Sequence, residues 1–418
     1  MVIMDDKKKE KLVPALRFGE FEGAWEMHKM KDVFSIFNGY AFSSKDSKEE
    51  GVRWVKIADV GIQKMKLKSP SFLPYSFTNK HKKFLLKEGD YVIALTRPIL
   101  NGELKVARID AFFHNSLLNQ RVGKLESSNH LPFIYSLLQK NKLIKKIESN
   151  IAGTDPPNLS PKEINTLKVN IPAFPEQQKI ANFLSAVDKK IEQLRQKVSL
   201  LEDYKKGMMQ QLFSQQIRFK DDNGEAFGDW HNKKLEHFLS EPKKRNYDLK
   251  YDKYGVLSVS GKHGIVNQIE FQGRSFAGVS VANYHVVEEG DIVYTKSPLK
   301  ANPYGIIKVN KGKAGIVSTL YAVYSCKENV SGTYLDYYFQ LDDNLNRYLR
   351  PLVRKGAKND MKINNSYVLS DYVHFPQKRE QEKIVSFFES LDELIQRTQK
   401  QLDYTQAFKK GLLQQLFV

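Results

Sequence analysis

The chain states one segment twice, and this limits its fold more than any other feature. Residues 176–213 begin EQQKIANFLSAVDKKIEQL and end KKGMMQQLF, while residues 380–417 begin EQEKIVSFFESLDELIQ and end KKGLLQQLF. At a constant offset of 204, fourteen of the 38 aligned pairs are identical, including Glu176/Glu380, Lys179/Lys383, Ile180/Ile384, Phe183/Phe387, Asp188/Asp392, Ile191/Ile395, Gly207/Gly411 and Gln210–Phe213/Gln414–Phe417. Upstream, Leu159/Ile363, Ile164/Val368, Val169/Val373, Ile171/Phe375 and Pro172/Pro376 fall at the same offset. Further upstream, KEGDYVIALTRP (87–98) parallels EEGDIVYTKSP (288–298), each a Gly-Asp turn feeding a β-branched and aromatic run. Trp25 follows RFGEFEGA and Trp230 follows RFKDDNGEAFGD, one at the start of each unit. The expected order is globular unit, long helix, globular unit, long helix. Such a chain can present two similar surfaces to one two-part target.

The helices follow from spacing. Ile180, Leu184, Val187, Ile191, Leu194, Val198 and Leu201 alternate steps of four and three, which is an a/d heptad seam. Ile384, Phe388, Leu391, Ile395 and Leu402 fit the same seam, with Thr398 and Thr405 as polar interruptions. Pro175 suits a first helical position, where its missing N–H costs nothing. At ~1.5 Å per residue each helix makes a rod of roughly 57 Å. Either it is a spacer, or it is a simple oligomerisation coiled coil; the duplication favours the first, since one chain already holds both halves of a pair. Gly207 and Gly411 each interrupt a helical pattern at a cost of ~1 kcal/mol against Ala. They mark either close approach of another backbone or a helix end.

The chain therefore divides into a charged tail (1–14), a first globular domain (15–174), a helix (175–214), a second globular domain (215–378) and a second helix (379–418). The globular domains read as mixed α/β. Strands are expected at Val52–Ile57, Tyr91–Leu95, Val256–Val259, Ile292–Thr295, Gly305–Val309 and Tyr321–Tyr324, and helices at Leu131–Ile147 and Tyr334–Tyr348.

The net charge of +18 on 418 residues points to a polyanionic partner, nucleic acid first and an anionic membrane surface second. Cys326 is the only cysteine, and the nine histidines form no HExxH or HxxxH pair, so no metal site is expected. The N-terminal MVIMDDKKKEK lacks a signal-peptide apolar core, and no run approaches the ~18 apolar residues of a membrane span. A cytoplasmic protein is expected.

The basic residues cluster. Residues 64–83 carry Lys64, Lys66, Lys68, Lys80, Lys82 and Lys83, no acid, and the aromatics Phe72, Tyr75 and Phe77. Lysines neutralise phosphates and aromatics pack on sugars or bases; the other reading is a solvated loop with its aromatics folded inward. The second domain offers Lys243, Lys244, Arg245, Lys262, Lys296 and Lys300, and a further cluster of Arg347, Arg350, Arg354, Lys355 and Lys358 that either faces DNA or meets a partner subunit. Arg97 and Asn101 follow an expected strand and have the chemistry to read guanine and adenine edges.

Catalytic motifs are absent or broken. Asp155-Pro156-Pro157-Asn158 is close to the D/N-P-P-Y/F box of amino-methyltransferases, but the aromatic that stacks on a flipped base is missing. Its counterpart is Asn359-Asp360-Met361-Lys362, so the segment reads as a rigid turn. Lys311–Gly315 (KGKAG) is no P-loop and reads as a hairpin turn.

Two variable globular domains, each followed by a helix that begins P-x-x-EQ-x-KI and ends KKG-x-x-QQLF, resemble the specificity subunits of type I restriction-modification systems. Ser297–Lys300, Gly315–Tyr324 and the 153–160 hinge share the likeness, which covers residues 15–418. The first domain's TRPILNGELK matches the second's SPLKANPYG only loosely, as domains reading different half-sites would. The resemblance implies a subunit with no activity of its own. Each globular domain would be a target recognition domain for half of an interrupted double-stranded DNA sequence. The paired antiparallel helices would set the gap, with an internal pseudo-two-fold. Two methyltransferase (modification) subunits would dock on it, joined by restriction/translocase subunits. S-adenosylmethionine, ATP and Mg2+ would belong to those partners, and none to this chain. A self-sufficient methyltransferase would need a cofactor loop that the chain lacks. The remaining alternative is a coiled-coil interaction scaffold without sequence-specific DNA binding.

Overall fold

The computed structural model describes residues 12–67, 70–151, 156–160, 164–355 and 361–418. Residues 1–11 of the expected tail lie outside them, but Leu12 already belongs to the fold: its carbonyl accepts from the Trp25 N–H at 2.8 Å. The chain forms two compact units. One takes the described residues up to Arg195 together with Gln399–Val418, and the other takes Gln196–Thr398. The division runs through both long helices, Phe174–Phe213 and Lys378–Gln415, and not at their ends.

Each unit is built on the same mixed α/β frame. In the first, a four-stranded antiparallel sheet has the order Ser35–Asn38, Val122–Glu126, Tyr91–Ala94, Val106–Arg108. In the second, the order is Leu239–Ser240, Tyr321–Cys326, Ile292–Thr295, Ile307–Val309. The central strands Tyr91–Ala94 and Ile292–Thr295 are buried along their whole length, which explains their unbroken apolar and aromatic sequence. Each is entered through a Gly-Asp turn. Gly89 and Gly290 hold φ of +93° and +85°, a region glycine enters freely. Asp90 and Asp291 accept from the N–H of Lys87 and Glu288, each at 2.8 Å. A two-stranded antiparallel ribbon joins the start of each domain to the approach to its helix: Glu26–Lys29 with Lys168–Ile171, and His231–Lys234 with Tyr372–Phe375.

The second layer differs between the units. The first has a mixed sheet in the order Phe72–Leu73, Val52–Val55, Leu117–Leu118, the last pair parallel. The second has two separate ribbons, Leu257–Ser260 with Gly264–Asn267 and His285–Val287 with Gly315–Val317. The last pairing corrects the reading of Lys311–Gly315 as a hairpin turn. The strands flanking it pair elsewhere, Ile307–Val309 with Ile292–Thr295 and Gly315–Val317 with His285–Val287, while Asn310 closes a local turn, accepting from Gly312 N–H and donating to the Lys313 carbonyl. The expected single helices before each hinge are also two apiece: Leu131–Leu137 and Asn141–Ile151, then Gly332–Gln340 and Asp342–Leu349.

Within each unit the helices run antiparallel, since Asp188 meets Lys409 while Ile191 and Leu194 meet Leu402, and Asp392 meets Lys205 while Phe388 meets Phe213. The heptad seam is not uniform. Ile180 and Leu184 enter the first globular core alongside Leu412, Leu413, Leu416 and Phe417. Ile384 and Phe388 enter the second alongside Met209, Leu212 and Phe213. Ile191, Leu194 and Leu402 form a separate helix–helix cluster, Leu391 is also buried, and Val187, Val198, Leu201 and Ile395 are half-buried. Thr398 is buried in the seam, its hydroxyl satisfied by the Leu394 carbonyl at 2.8 Å.

Candidate nucleic-acid interface and its helix anchors

The repeated EQ-x-KI motif is an anchor. Glu176 is 2% exposed and Glu380 fully buried. Arg17 grips Glu176 with two bonds, Nε to Oε1 at 2.9 Å and Nη2 to Oε2 at 2.7 Å, and Trp25 Nε1 donates to Oε1 at 3.2 Å. Arg218 repeats this grip on Glu380 at 3.0 and 2.8 Å, while Trp230 Nε1 donates to the other carboxylate oxygen, Oε2, at 3.2 Å. Each guanidinium thus grips its carboxylate in a bidentate, charge-assisted pair. The hydrogen bond to the carboxylate is also the leading cause of the upward pKa shift of Arg17 and of Arg218. The neighbouring glutamines clamp the loop before the paired helices. Gln177 Oε1 accepts from His130 N–H while its amide donates to Pro172, and Gln381 does the same with Ser331 and Pro376.

The KKG-x-x-QQLF motif is a plug. Phe213 packs on Tyr334 and Phe388 in the second unit, and Phe417 packs on Trp25 and Phe133 in the first. The first domain thus receives its plug from the far end of the chain, and the second from the helix immediately before it. Arg17, Arg218 and the two Lys–Asp cross-pairs were missed in the sequence reading. The signal was present in the paired Arg-Phe and Lys-Lys-Gly motifs, but nothing local says what they touch.

Glycines 207 and 411 are explained by neither a helix end nor an internal close approach. Both lie inside the long helices, and a Cβ on either would meet nothing within 4 Å. They stand instead on exposed apolar stripes at i, i+4, i+7: Leu200, Tyr204, Gly207 in one unit and Tyr404, Phe408, Gly411 in the other.

Of the lysines at 64–83, Lys64, Lys66, Lys80, Lys82 and Lys83 are exposed, and Lys68 lies outside the described residues. Both readings of this loop hold in part: Phe77 stacks inward on Phe42, Phe72 is half-buried, and Tyr75 is 70% exposed. Buried His81 beneath them has its pKa lowered, first by burial and then by Lys80, so it stays neutral. Arg97 and Asn101 are exposed with φ of +49° and +52°, left-handed values that cost a non-glycine residue about 1 kcal/mol or more. Asn101-Gly102 makes the turn of the hairpin Ile99–Leu100 with Glu103–Leu104. Arg97 is tied to the Pro-Pro turn by its N–H on the Pro157 carbonyl at 2.8 Å, and Thr96 donates to Asn158 at 2.7 Å. Asp155 lies outside the described residues. Asn38, Thr96, Gln120, Arg121 and Asn158 line an open cleft of about 500 Å³, and Arg121, exposed there, is a candidate the sequence reading did not single out.

In the second unit Lys243, Lys244, Lys262 and Lys300 are exposed, while Arg245 and Lys296 are half-buried. Lys244 pairs with Glu288 at 2.7 Å, and Arg245 donates to the Asn283 carbonyl at 2.7 Å, so neither is an uncommitted charge. Arg245 and Lys296 flank buried His285, whose pKa falls to about 4, chiefly through burial and then through these two cations. Arg274, stacked 4.5 Å from the exposed Phe276 ring, was also missed. Of the Arg347–Lys358 cluster, Arg347 lines a groove beside Lys205, and Lys358 lies outside the described residues. Burial raises the Cys326 pKa to about 11, which makes it a poor nucleophile. Among the described residues no group of three or more His, Cys, Asp or Glu is placed to hold a metal, and no helix is long and apolar enough to cross a membrane.

Residues 22–202 match the family described as the type I restriction modification DNA specificity domain. The chain is similar to type I specificity subunits. It is 33% identical over 208 residues to the type I restriction enzyme MjaVIII specificity subunit of Methanocaldococcus jannaschii, a match covering 49% of each chain. The chain thus spans about half the length of that relative. The putative MjaX specificity subunit of the same organism is 22% identical over 99% of this chain and 97% of its own. The crystal structure of the type I restriction-modification S subunit from M. genitalium shares the fold with a TM-score of 0.59, covering 97% of this chain and 99% of its own at 15% identity.

Proposed function

We propose that this chain is a specificity subunit, the non-catalytic DNA reader of a type I restriction-modification complex, each globular unit recognising one half of a bipartite double-stranded target. The observation that carries this reading is the contrast within the duplication. The anchors and plug repeat closely, while the second layers differ and the hairpin carrying Asn101 has no paired counterpart among the described strands of the second unit. A structural pseudo-dimer with no target would have no reason to keep one frame and rebuild that layer. The long helices act as the spacer and as the seat of two adenine-methylating subunits, and the two matching apolar stripes around Gly207 and Gly411 supply two like docking faces. S-adenosylmethionine, ATP and Mg2+ are used by the modification and restriction subunits. The complex works in the cytoplasm, where its DNA is.

The test is a genome-wide adenine-methylation map of the host with and without the gene. Loss of one interrupted motif is the expected result and delivers both half-sites. A map that does not change, in a host where the modification subunits are expressed and active, overturns the reading in favour of a scaffold without sequence-specific DNA binding.

A further inference from the structure

One buried ammonium in the first unit, at the head of the plug motif, makes a connection that neither the anchor nor the aromatic plug uses. Lys409 is 4% exposed, and its three N–H donors are all used: on Asp188 Oδ1 at 2.7 Å, Gln63 Oε1 at 2.8 Å and Gln139 Oε1 at 2.7 Å. Asp188 and Gln139 belong to the frame around the helix. Gln63 does not; it sits in the turn from Gly61 to Met65 that displays the exposed Lys64, with Lys66 following. Gln63 holds φ at +58°, an unfavourable state for a side-chain-bearing residue, which persists only where its surroundings fix it. They do so at three of its polar atoms. Its N–H donates to the Val106 carbonyl at 2.9 Å, its carbonyl accepts from Tyr135 Oη at 3.1 Å, and its side chain accepts from Lys409. Gly61 closes the turn at the other side, its N–H on the Lys64 carbonyl at 3.0 Å.

The second unit has the same lysine and the same two frame groups without this connection. Lys205 pairs with Asp392 at 2.6 Å and lies 5.0 Å from the Tyr337 ring. Gln340, the counterpart of Gln139, lines the open groove beside it. Among the described residues no side chain takes the place of Gln63.

We infer that Lys409 is a positioning residue that fixes the Gly61–Met65 turn of the first recognition domain to the spacer helix, so that readout of one half-site, and not the other, depends on it. The inference rests on the DNA-reading function proposed above. An ammonium with three fixed acceptors in a buried site holds geometry more tightly than an exposed pair, because each acceptor left behind would be an unpaired buried polar group.

The experiment uses the assembled methyltransferase complex carrying Gln63→Leu, Lys409→Met or, as the comparison, Lys205→Met. Methylation rates are measured on duplexes bearing single-base changes in each half-site. Gln63→Leu and Lys409→Met are expected to relax discrimination by roughly tenfold at one half-site, the same one for both, and to leave the other intact. Lys205→Met changes neither. Gln63→Leu keeps the Lys409–Asp188 pair, so it carries the test if Lys409→Met fails to assemble. Unchanged discrimination in assembled variants overturns the inference. So does an equal loss at both half-sites in step with a lowered melting temperature, which is what a purely structural role gives. If the wild-type complex itself shows no bipartite preference, the functional reading falls first, and the inference falls with it.

Discussion

The two units of this molecule agree where they meet the helices and disagree where they would meet a target. Arg17, Trp25 and Glu176 reproduce Arg218, Trp230 and Glu380 to within about 0.1 Å in each of three hydrogen bonds. Both four-stranded sheets have one order. Yet the first unit's second layer is a mixed three-stranded sheet and the second's is two ribbons. Residues that must satisfy buried charge have almost no freedom, because any other side chain strands a guanidinium in a poorly solvated site. Residues in an exposed layer answer only to what they bind. Divergence in the folded framework is therefore largest in the second layer, where the buried anchors place no demand.

The comparison breaks most clearly at the anchors. Glu176→Leu and Glu380→Leu each remove the acceptor of a half-buried Arg and a buried Trp. Each should cost about 2–4 kcal/mol, discounted from a fully buried pair because Arg17 and Arg218 keep some solvent access. The losses should agree within about 1 kcal/mol, the scatter expected of like interactions in different contexts. Chemical denaturation of the two variants checks this; a difference of several kcal/mol would mean that equal geometry does not carry equal energy here.

Acid separates the units by a smaller amount. His285 titrates at about 4 in the fold against 6.5 in the unfolded chain, so between these values the unfolded state binds the extra proton. Stability from this residue is whole above pH 6.5 and is lost as pH falls toward 4, by about 1–2 kcal/mol at pH 5. The first unit has the same sign of dependence through His81 and His130, both shifted down by burial. His285→Gln should flatten the acid limb for the second unit alone. Hydrogen exchange of the Ile292–Thr295 strand at pH 7 and pH 5, with Tyr91–Ala94 as the internal comparison, reads the difference. An unaltered acid limb in His285→Gln would remove His285 as its source.

Much of this comparison was legible before any coordinates. Repetition exposed the helices, the seam register and the special status of Glu176, Gly207 and Gln210–Phe213, because two copies separate a required residue from a tolerated one. What each required residue touches was not legible. Arg17 finds Glu176 across 159 positions, and Lys409 finds Gln63 across 346; helical and strand periodicity say nothing about pairs so distant. The Lys311–Gly315 turn shows the same limit at short range. Its glycines signal a bend, but whether the flanking strands pair with each other depends on His285–Val287 elsewhere in the chain. The target-facing layer was the least legible part. Its lysines could be counted, but their commitment to Glu288 or to a carbonyl depends on the fold.

The smallest effect tests the one respect in which both units carry an apparent defect. Gly207 and Gly411 sit in helix interiors at about 1 kcal/mol apiece relative to Ala. Nothing within 4 Å would obstruct a methyl group on either. Gly207→Ala and Gly411→Ala should therefore each stabilise the isolated chain by up to about 1 kcal/mol, a rise of a few degrees at most in melting temperature. If the glycines let a partner helix approach the stripes formed with Leu200 and Tyr204, and with Tyr404 and Phe408, the same substitutions should weaken assembly with the modification subunits. A gain in stability with unchanged assembly would leave the stripes without a partner and the glycines without a purpose in the complex. A loss of stability would mean that the glycines serve the chain itself. Opposite signs in the two measurements, equal for the two positions, would identify two like docking faces on a chain whose recognition surfaces are unlike.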